Sequence, residues 1–510
     1  MTKLPRALWR NQRIPTLFSL IQGRRSLGSP RRNVTSSTHS ISRLAIAAGA
    51  ATLVTTVLCG FAPTPSQNAG ADYIVTAAPI YKPLAELQGG ERFPGGAQLL
   101  LVHNGKSEQL VPGYAATADA DVSYDGKSVL FAGKKAAGDP WQIWELTLSD
   151  GSVRKVTSTS NDAERPFHLP GGRLVWAQRT PPGFEIDSSD DGRPIGTAPL
   201  NPTAGPGVTR LTYIRASAFP TGVLRDGRIL FESGFPLGTG STPEIFLVYA
   251  DGSGVESYRC DHGRARWGAH QLASGDVVFT HGASLARFTS PSAHEEPIAA
   301  PPAQYAGAFA ETDSGAWLVS ARAADNAHFA ISFWDPGARN AKLETLLGIG
   351  GMNLVDPVLV APHQRPNRHP SGLHPWNYAN LMALDTRVSR DGALRGTPAA
   401  ARLETLEMNA GANGRVTTMG TAPIEGDGSF FVSVPANQPI RFALLDRRGA
   451  VLRQEKGWFW IRGGEQRYCV GCHAGPERGS ENRVPGVLLR TTTPVDLTGD
   501  HPAHSSQGGQ

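Results

Sequence analysis

Ser123-Tyr124-Asp125-Gly126-Lys127 runs directly into SVLFAG (128–133). Asp-Gly admits the positive φ that a tight hairpin needs, and the apolar run behind it reads as a strand. The phrase returns four times. It recurs as Leu169-Pro170-Gly171-Gly172-Arg173 before LVWAQ and as Arg225-Asp226-Gly227-Arg228 before ILFES. Ala273-Ser274-Gly275-Asp276 then precedes VVFTHG, and Thr312-Asp313-Ser314-Gly315 precedes AWLVSA. The turn glycines 126, 172, 227, 275 and 315 are 46, 55, 48 and 40 residues apart, the length of one four-stranded propeller blade. Each unit holds a later strand that ends in a second turn, as in WQIWELTLSDG (141–151) and EIFLVYADGSG (244–254). One blade cannot cover both its faces, but a closed ring of blades does. A degenerate first unit, with strands near Asp72–Ala78 and Gly96–His103, brings the count to six.

These phrases resemble TolB-type propeller repeats, so the expected fold is all-β: a six-bladed TolB-like β-propeller over 72–360. Thr180–Gly207 interrupts the period and reads as a surface loop, with Asp187, Asp190 and Asp191 as solvated acids. Trp141, Trp144, Trp176, Trp267, Trp317 and Trp334 are expected to pack between blades. A Pro- and His-rich linker follows over 361–378. Candidate strands Leu381–Thr386, Ala401–Met408, Gly428–Val434, Ile440–Asp446 and Val451–Trp460 then predict a small β-sandwich over 379–490, ending in an attachment loop. Residues 491–510 read as a polar, frayed tail.

The 510 residues are enough for about three domains. Four cysteines exclude a disulfide scaffold. The net charge of +5 would invite a nucleic-acid partner, but its distribution argues against one. Nine bases and no acid fall within residues 1–43, and the first acid is Asp72. Without those nine, 40 bases face 44 acids, a net of −4. The basic arm precedes an uncharged run, 44–71, the pattern of an export signal. Residues 1–71 are therefore expected to be a leader, cleaved or retained as a membrane anchor through 44–62, with Cys59 part of it. The body is expected outside the cytoplasm, in the periplasm or on the outer face of the inner membrane.

Cys469-Val470-Gly471-Cys472-His473 has the C-x-x-C-H spacing of c-type haem attachment. With 4 cysteines and 14 histidines in 510 residues, chance would produce it about once in a thousand such chains. A structural zinc site would want a second cysteine pair, and a thioredoxin-like site would want a βαβ context. Neither is present in the sequence. One covalent haem c is expected, held by thioethers at Cys469 and Cys472, with His473 as iron ligand. No P-loop, G-x-G-x-x-G, H-E-x-x-H or G-x-S-x-G motif accompanies it, and no catalytic residue is assigned.

Around the motif stand Ala422-Pro423-Ile424, Asp427-Gly428-Ser429-Phe430, Val434-Pro435-Ala436, Trp458-Phe459-Trp460 and Gly464-Glu465. With these, the chain resembles the hydrazine synthase alpha subunit family over about 73–490, where a propeller precedes a haem-bearing middle domain. The resemblance implies a redox haem protein. In that family's synthase, a tyrosine soon after the motif holds the iron and the motif histidine goes to zinc. Residues 474–510 contain no tyrosine, and Tyr468 precedes the motif. His473 is therefore expected as the ordinary proximal ligand. The sequence given also ends 37 residues after His473, before any further haem domain. For the opposite iron face, Met408, Met419, His363, His369, His374, His501 and His504 are candidates. Cys260, beside Asp261 and His262, reads as a buried structural cysteine. The expected role is electron transfer or redox chemistry with a partner protein, the propeller docking that partner or roofing the haem. A non-enzymatic envelope binding protein and a haem enzyme acting on small nitrogen compounds are the alternatives.

Overall fold

The computed structural model describes residues 71–190, 207–214, 216–259, 263–339, 342–388, 402–408, 416–471 and 483–499. The expected leader, Cys260-Asp261-His262 and Cys472-His473 lie outside them.

Six four-stranded antiparallel sheets form the propeller. Blade 1 is closed by the two ends of the ring. Its inner strand Asn353–Leu359 pairs with Tyr73–Ala78, and Gln98–His103 and Lys106–Gln109 follow outward. Blades 2 to 6 begin with the inner strands Ala116–Val122, Ala163–Leu169, Ala218–Val223, Arg266–Gln271 and Gln304–Glu311. The phrase strands quoted above are the second strands. Val129, Leu130, Phe131 and Ala132 are all buried, so both faces of that strand are covered. Alternate side chains point to opposite faces, and each face meets a neighbouring blade.

The turn glycines also let another segment pass. A Cβ on Gly126 (φ +72°) would meet the Pro362 nitrogen at 2.9 Å, and one on Gly227 (φ +86°) would meet the Asn367 oxygen at 2.2 Å. The linker is thus a strap laid over one end of the propeller. His363 N–H donates to Tyr124 O and Asn367 N–H to Arg225 O.

All six inner strands carry an irregularity in register with their neighbour. At five of them a residue has positive φ: Asp119, Arg165, Gly268, Gly307 and Asp356. Such bulges redirect side chains toward the axis. Residues 79–96, between the first two strands of blade 1 in sequence, plug the channel there. Glu86, Arg92 and Phe93 of this plug are buried.

Thr180–Gly207 is not a loop throughout. Gly183–Asp190 is the third strand of blade 3, paired along its length with Arg173–Thr180. Asp187 is buried rather than solvated, held by Arg210 Nε at 3.0 Å. The blade's need for a third strand overrides the loop-like composition. The side chain of Asp190, and Asp191, lie outside what is described.

The second β-domain packs two four-stranded sheets. One has the order Gln466–Gly471, Tyr378–Asp385, Phe430–Pro435, Val495–Asp496. The other has the order Val416–Pro423, Arg402–Met408, Ile440–Leu445, Val451–Gln454. Leu381, Val432, Val434, Ile440 and Leu444 fill the space between them. Two strands were not expected, Val416–Pro423 and Gln466–Gly471. The expected frayed tail is also corrected: Val495–Asp496 pairs in parallel with Val432–Ser433, and Leu497 is buried in the core. Residues 500–510 lie outside the description.

Candidate functional site

Gln466–Gly471 is an edge strand, paired in parallel with Tyr378–Asp385 so that Cys469 lies opposite Ala383. Alternation turns Tyr468 outward, 66% exposed, and Cys469 inward against the sandwich core. Cys469 is a half-buried free thiol. Burial pushes its pKa up, and Arg467 opposes that rise. It is therefore a protonated thiol at neutral pH, not an activated nucleophile.

The chain leaves the sheet after Gly471, which pairs with Asp385, and the description resumes at Arg483. Arg483 binds the Asp427 carboxylate and donates to Leu384 O at 3.0 Å. Both ends of the intervening stretch 472–482 are thus fixed near Asp385 and Asp427. Asp427 also accepts from Ser429 Oγ at 2.6 Å and Gly486 N–H at 2.7 Å. Burial alone would raise its pKa, but the bonds from Ser429, Gly486 and Arg483 together hold it well below the carboxylate range. Asp385 and Arg483 were not singled out from sequence, and Asp427 only as part of the run that carries the family resemblance. The Gly-Asp-Gly-Ser turn at 426–429 was legible as a turn, but a partner 56 residues away in Arg483 was not.

A c-type haem would need two reduced cysteines whose sulfurs both reach the haem edge. Cys469 is reduced, but its side chain packs against the sandwich core and would have to turn outward to take part. The arrangement of Cys472 and His473 lies outside the described residues. Of the candidates for the opposite iron face, Met419 reaches Gly499, near the sandwich edge opposite to Cys469. His363 lies tilted against Tyr124 and His369 stacks on Tyr249, both on the propeller. His374 lies against Gly464, in the turn that precedes the strand carrying Cys469. The structure brings none of these to Cys469. The Met408 side chain, His501 and His504 are outside the described residues. Among the described residues no group of three or more His, Cys, Asp or Glu is arranged to hold a metal ion.

Propeller and sandwich meet through 458–467. Trp460 Nε1 donates to Gly252 O at 2.9 Å. Arg462, 1% exposed, binds the Tyr213 hydroxyl, Asn437 Oδ1 at 2.8 Å and Asp251 O at 3.0 Å. Gly254 N–H donates to Glu465 Oε1 at 3.1 Å.

Fold and site together define an all-β protein in which a six-bladed propeller is bolted to a sandwich bearing a C-x-x-C-H segment. Residues 381–474 match the family described as "Hydrazine synthase alpha subunit middle domain", so this segment is similar to that domain. The hydrazine synthase structure from Kuenenia stuttgartiensis shares 16% identity at a TM-score of 0.70, covering 82% of this chain and 71% of that one. TolB from Acinetobacter baumannii shares 13% identity at a TM-score of 0.42, over 57% of this chain and 66% of its own. A putative TolB from Agrobacterium tumefaciens shares 15% at 0.39, over 58% and 94%. No curated protein matches the chain.

Proposed function

We propose that the protein is an exported c-type mono-haem protein with an electron-transfer or redox role, its haem carried by Cys469 and Cys472 and its iron bound by His473. The observation that carries this reading is the C-x-x-C-H spacing at 469–473, inside the segment that matches the hydrazine synthase alpha middle domain. Haem would supply one-electron chemistry at a potential tuned by axial ligand and burial. The chain's own residues hold Cys469 at the end of a sheet edge and tether both ends of 472–482 at Asp385 and Asp427. Tyr468, exposed beside Cys469, offers contact to a redox partner protein. Export is supported by the basic, acid-free arm before an uncharged run, since haem c is attached outside the cytoplasm. No helix among the described residues is long and apolar enough to cross a membrane, and the candidate anchor 44–62 is not among them.

A second reading, a haem enzyme acting on small nitrogen compounds, is favoured by the family match. The absence of tyrosine after the motif weighs against it. The test is expression with cytochrome maturation machinery followed by acid-acetone extraction. The wild type should keep its haem absorbance, and the double variant Cys469→Ala/Cys472→Ala should not. Haem that extracts completely from the wild type would refute the assignment. His473→Gly should keep the haem but change its spin state, with recovery on added imidazole. An unchanged spectrum in that variant would move the iron to another ligand and revive the enzyme reading.

A further inference from the structure

The hairpin at 446–456 reads Asp-Arg-Arg-Gly-Ala-Val-Leu-Arg-Gln-Glu-Lys. Its turn is closed by Asp446 N–H donating to Ala450 O at 2.9 Å and by Gly449 N–H donating to Asp446 O at 3.0 Å, with Gly449 at φ +82°. The Asp446 carboxylate faces into this turn, where Oδ1 accepts the Arg448 and Ala450 backbone N–H groups, each at 2.8 Å. Arg447 and Arg448 are both exposed, and among the described residues neither has an ion-pair partner. Residues 447–454 hold Arg447, Arg448 and Arg453 and no acid, and an exposed Lys456 follows. The chain beyond residue 43 has 40 bases against 44 acids, so this is a local excess of positive charge on an acidic body.

Apolar surface lies beside the charge. Val451–Gln454 is an edge strand, paired only with Ile440–Leu445. Leu445 stands opposite Val451 and Leu444 opposite Arg453, so Leu452 is the extra residue of a bulge. A regular strand over a core hides every second side chain. Here the bulge leaves two neighbours in water, Val451 at 58% and Leu452 at 38% exposed. Of the large apolar side chains exposed among the described residues, these two are the only neighbours in sequence.

We propose that this hairpin is a contact site for an anionic membrane surface. The edge strand lies along the headgroup layer, with Arg447, Arg448 and Lys456 on lipid phosphates and Val451 and Leu452 just below them. An anionic bilayer answers both features at once: its surface charge attracts the bases, and its interior takes the two apolar side chains out of water. An acidic protein surface answers the charge but sets Val451 and Leu452 against polar groups. A second copy paired edge to edge would place the same three bases on both sides of the seam, with no acid between them. The unpaired backbone groups of the edge keep the strand in the hydrated headgroup layer and out of the hydrocarbon. One apolar pair and a few bases make a weak, reversible contact. The inference is independent of the haem reading and of the fate of residues 1–71.

The experiment is photo-crosslinking of the full chain to vesicles that carry a trace of a diazirine lipid, with the modified peptides mapped by mass spectrometry. Mapping separates the hairpin from any contact made by the basic arm at 1–43. Vesicles of phosphatidylglycerol and phosphatidylcholine should give lipid adducts within 447–454. Phosphatidylcholine alone should give few, and high salt should remove them. Arg447→Gln/Arg448→Gln should lower the adduct yield by about tenfold or more. Arg447→Lys/Arg448→Lys should keep it, since a point charge suffices for an anionic surface. Val451→Ser/Leu452→Ser should lower it with the bases in place. All four positions are exposed, so each variant should keep the wild-type Tm. Equal adducts with phosphatidylcholine alone, or a yield unchanged in the glutamine variant, would overturn the proposal. So would an absence of adducts in the hairpin. Protection of Arg447 and Arg448 from trypsin by polyglutamate, with no lipid adducts, would assign the surface to an acidic protein instead.

Discussion

Asp427 shows how one side chain can organise a segment it does not belong to. Its carboxylate gathers Ser429, the Gly486 N–H and Arg483, and so closes the base of the stretch containing Cys472 and His473. Replacing it by Ala removes an acceptor from several donors at once, a loss of about 1–3 kcal/mol. Asp427→Ala should therefore lower Tm and speed proteolytic cleavage within 472–482 while leaving cleavage of the propeller unchanged. Equal cleavage rates in that segment would refute the tether. The charge sets a direction with pH. The folded pKa lies below the unfolded value near 3.9, so the stabilisation is complete above about pH 4 and is lost as pH falls toward the folded value. Acid should therefore loosen this stretch in the wild type and add little in the variant.

At the scale of the element, the inner strands carry more than packing. His270, on Arg266–Gln271, stands edge-on to Phe309 at 5.6 Å. Burial lowers its pKa to about 4, reinforced by His363 and opposed by Asp121. The unfolded chain takes up that proton near pH 6.5, so between 6.5 and 4 it binds more protons than the folded one. The contribution is complete above pH 6.5 and declines as pH falls to 4, at no more than about 1.4 kcal/mol per pH unit. His270→Gln should flatten the urea midpoint against pH across that window, and a slope equal to wild type would contradict the burial. The blades were readable in sequence because Asp-Gly turns and apolar second strands repeat every 40 to 55 residues. The inner strands and the plug were not. Ala116–Val122 reads ATADADV, poor in large apolar residues, because its bulge faces a charged axis rather than a neighbouring sheet. Glu86 and Arg92 look like ordinary surface charges until the fold supplies Arg165 and Asp119 from distant blades. Gln466–Gly471 escaped notice because its partner is parallel and 86 residues earlier.

For the whole molecule, the question is whether propeller and sandwich unfold as one. The joint is polar at its centre and apolar around it. Trp460 inserts into the core shared by blades 3 and 4, and Arg462 beside it binds the Tyr213 hydroxyl and the Asp251 carbonyl across the junction and Asn437 on its own side. The strap adds a second link, crossing blades 2 and 4 before entering the sandwich. Two links of this kind should give a single cooperative calorimetric transition in the wild type. Truncating Arg462 removes a fully buried guanidinium and its bonds to Tyr213, Asn437 and Asp251, which should cost about 3 kcal/mol. Because the strap holds the two parts together in sequence, Arg462→Ala should not separate them but should split the melt, with the sandwich leaving first. Arg228→Ala breaks pairs to Asp226 and Glu256, whose side chains are about half exposed, and should change stability by less than about 1 kcal/mol without splitting the melt. Two transitions in the wild type, or a single unshifted one in Arg462→Ala, would mean that the junction does not couple the domains. In that case a partner docked on the propeller would have no mechanical route through Trp460 and Arg462 to the edge strand that carries Cys469.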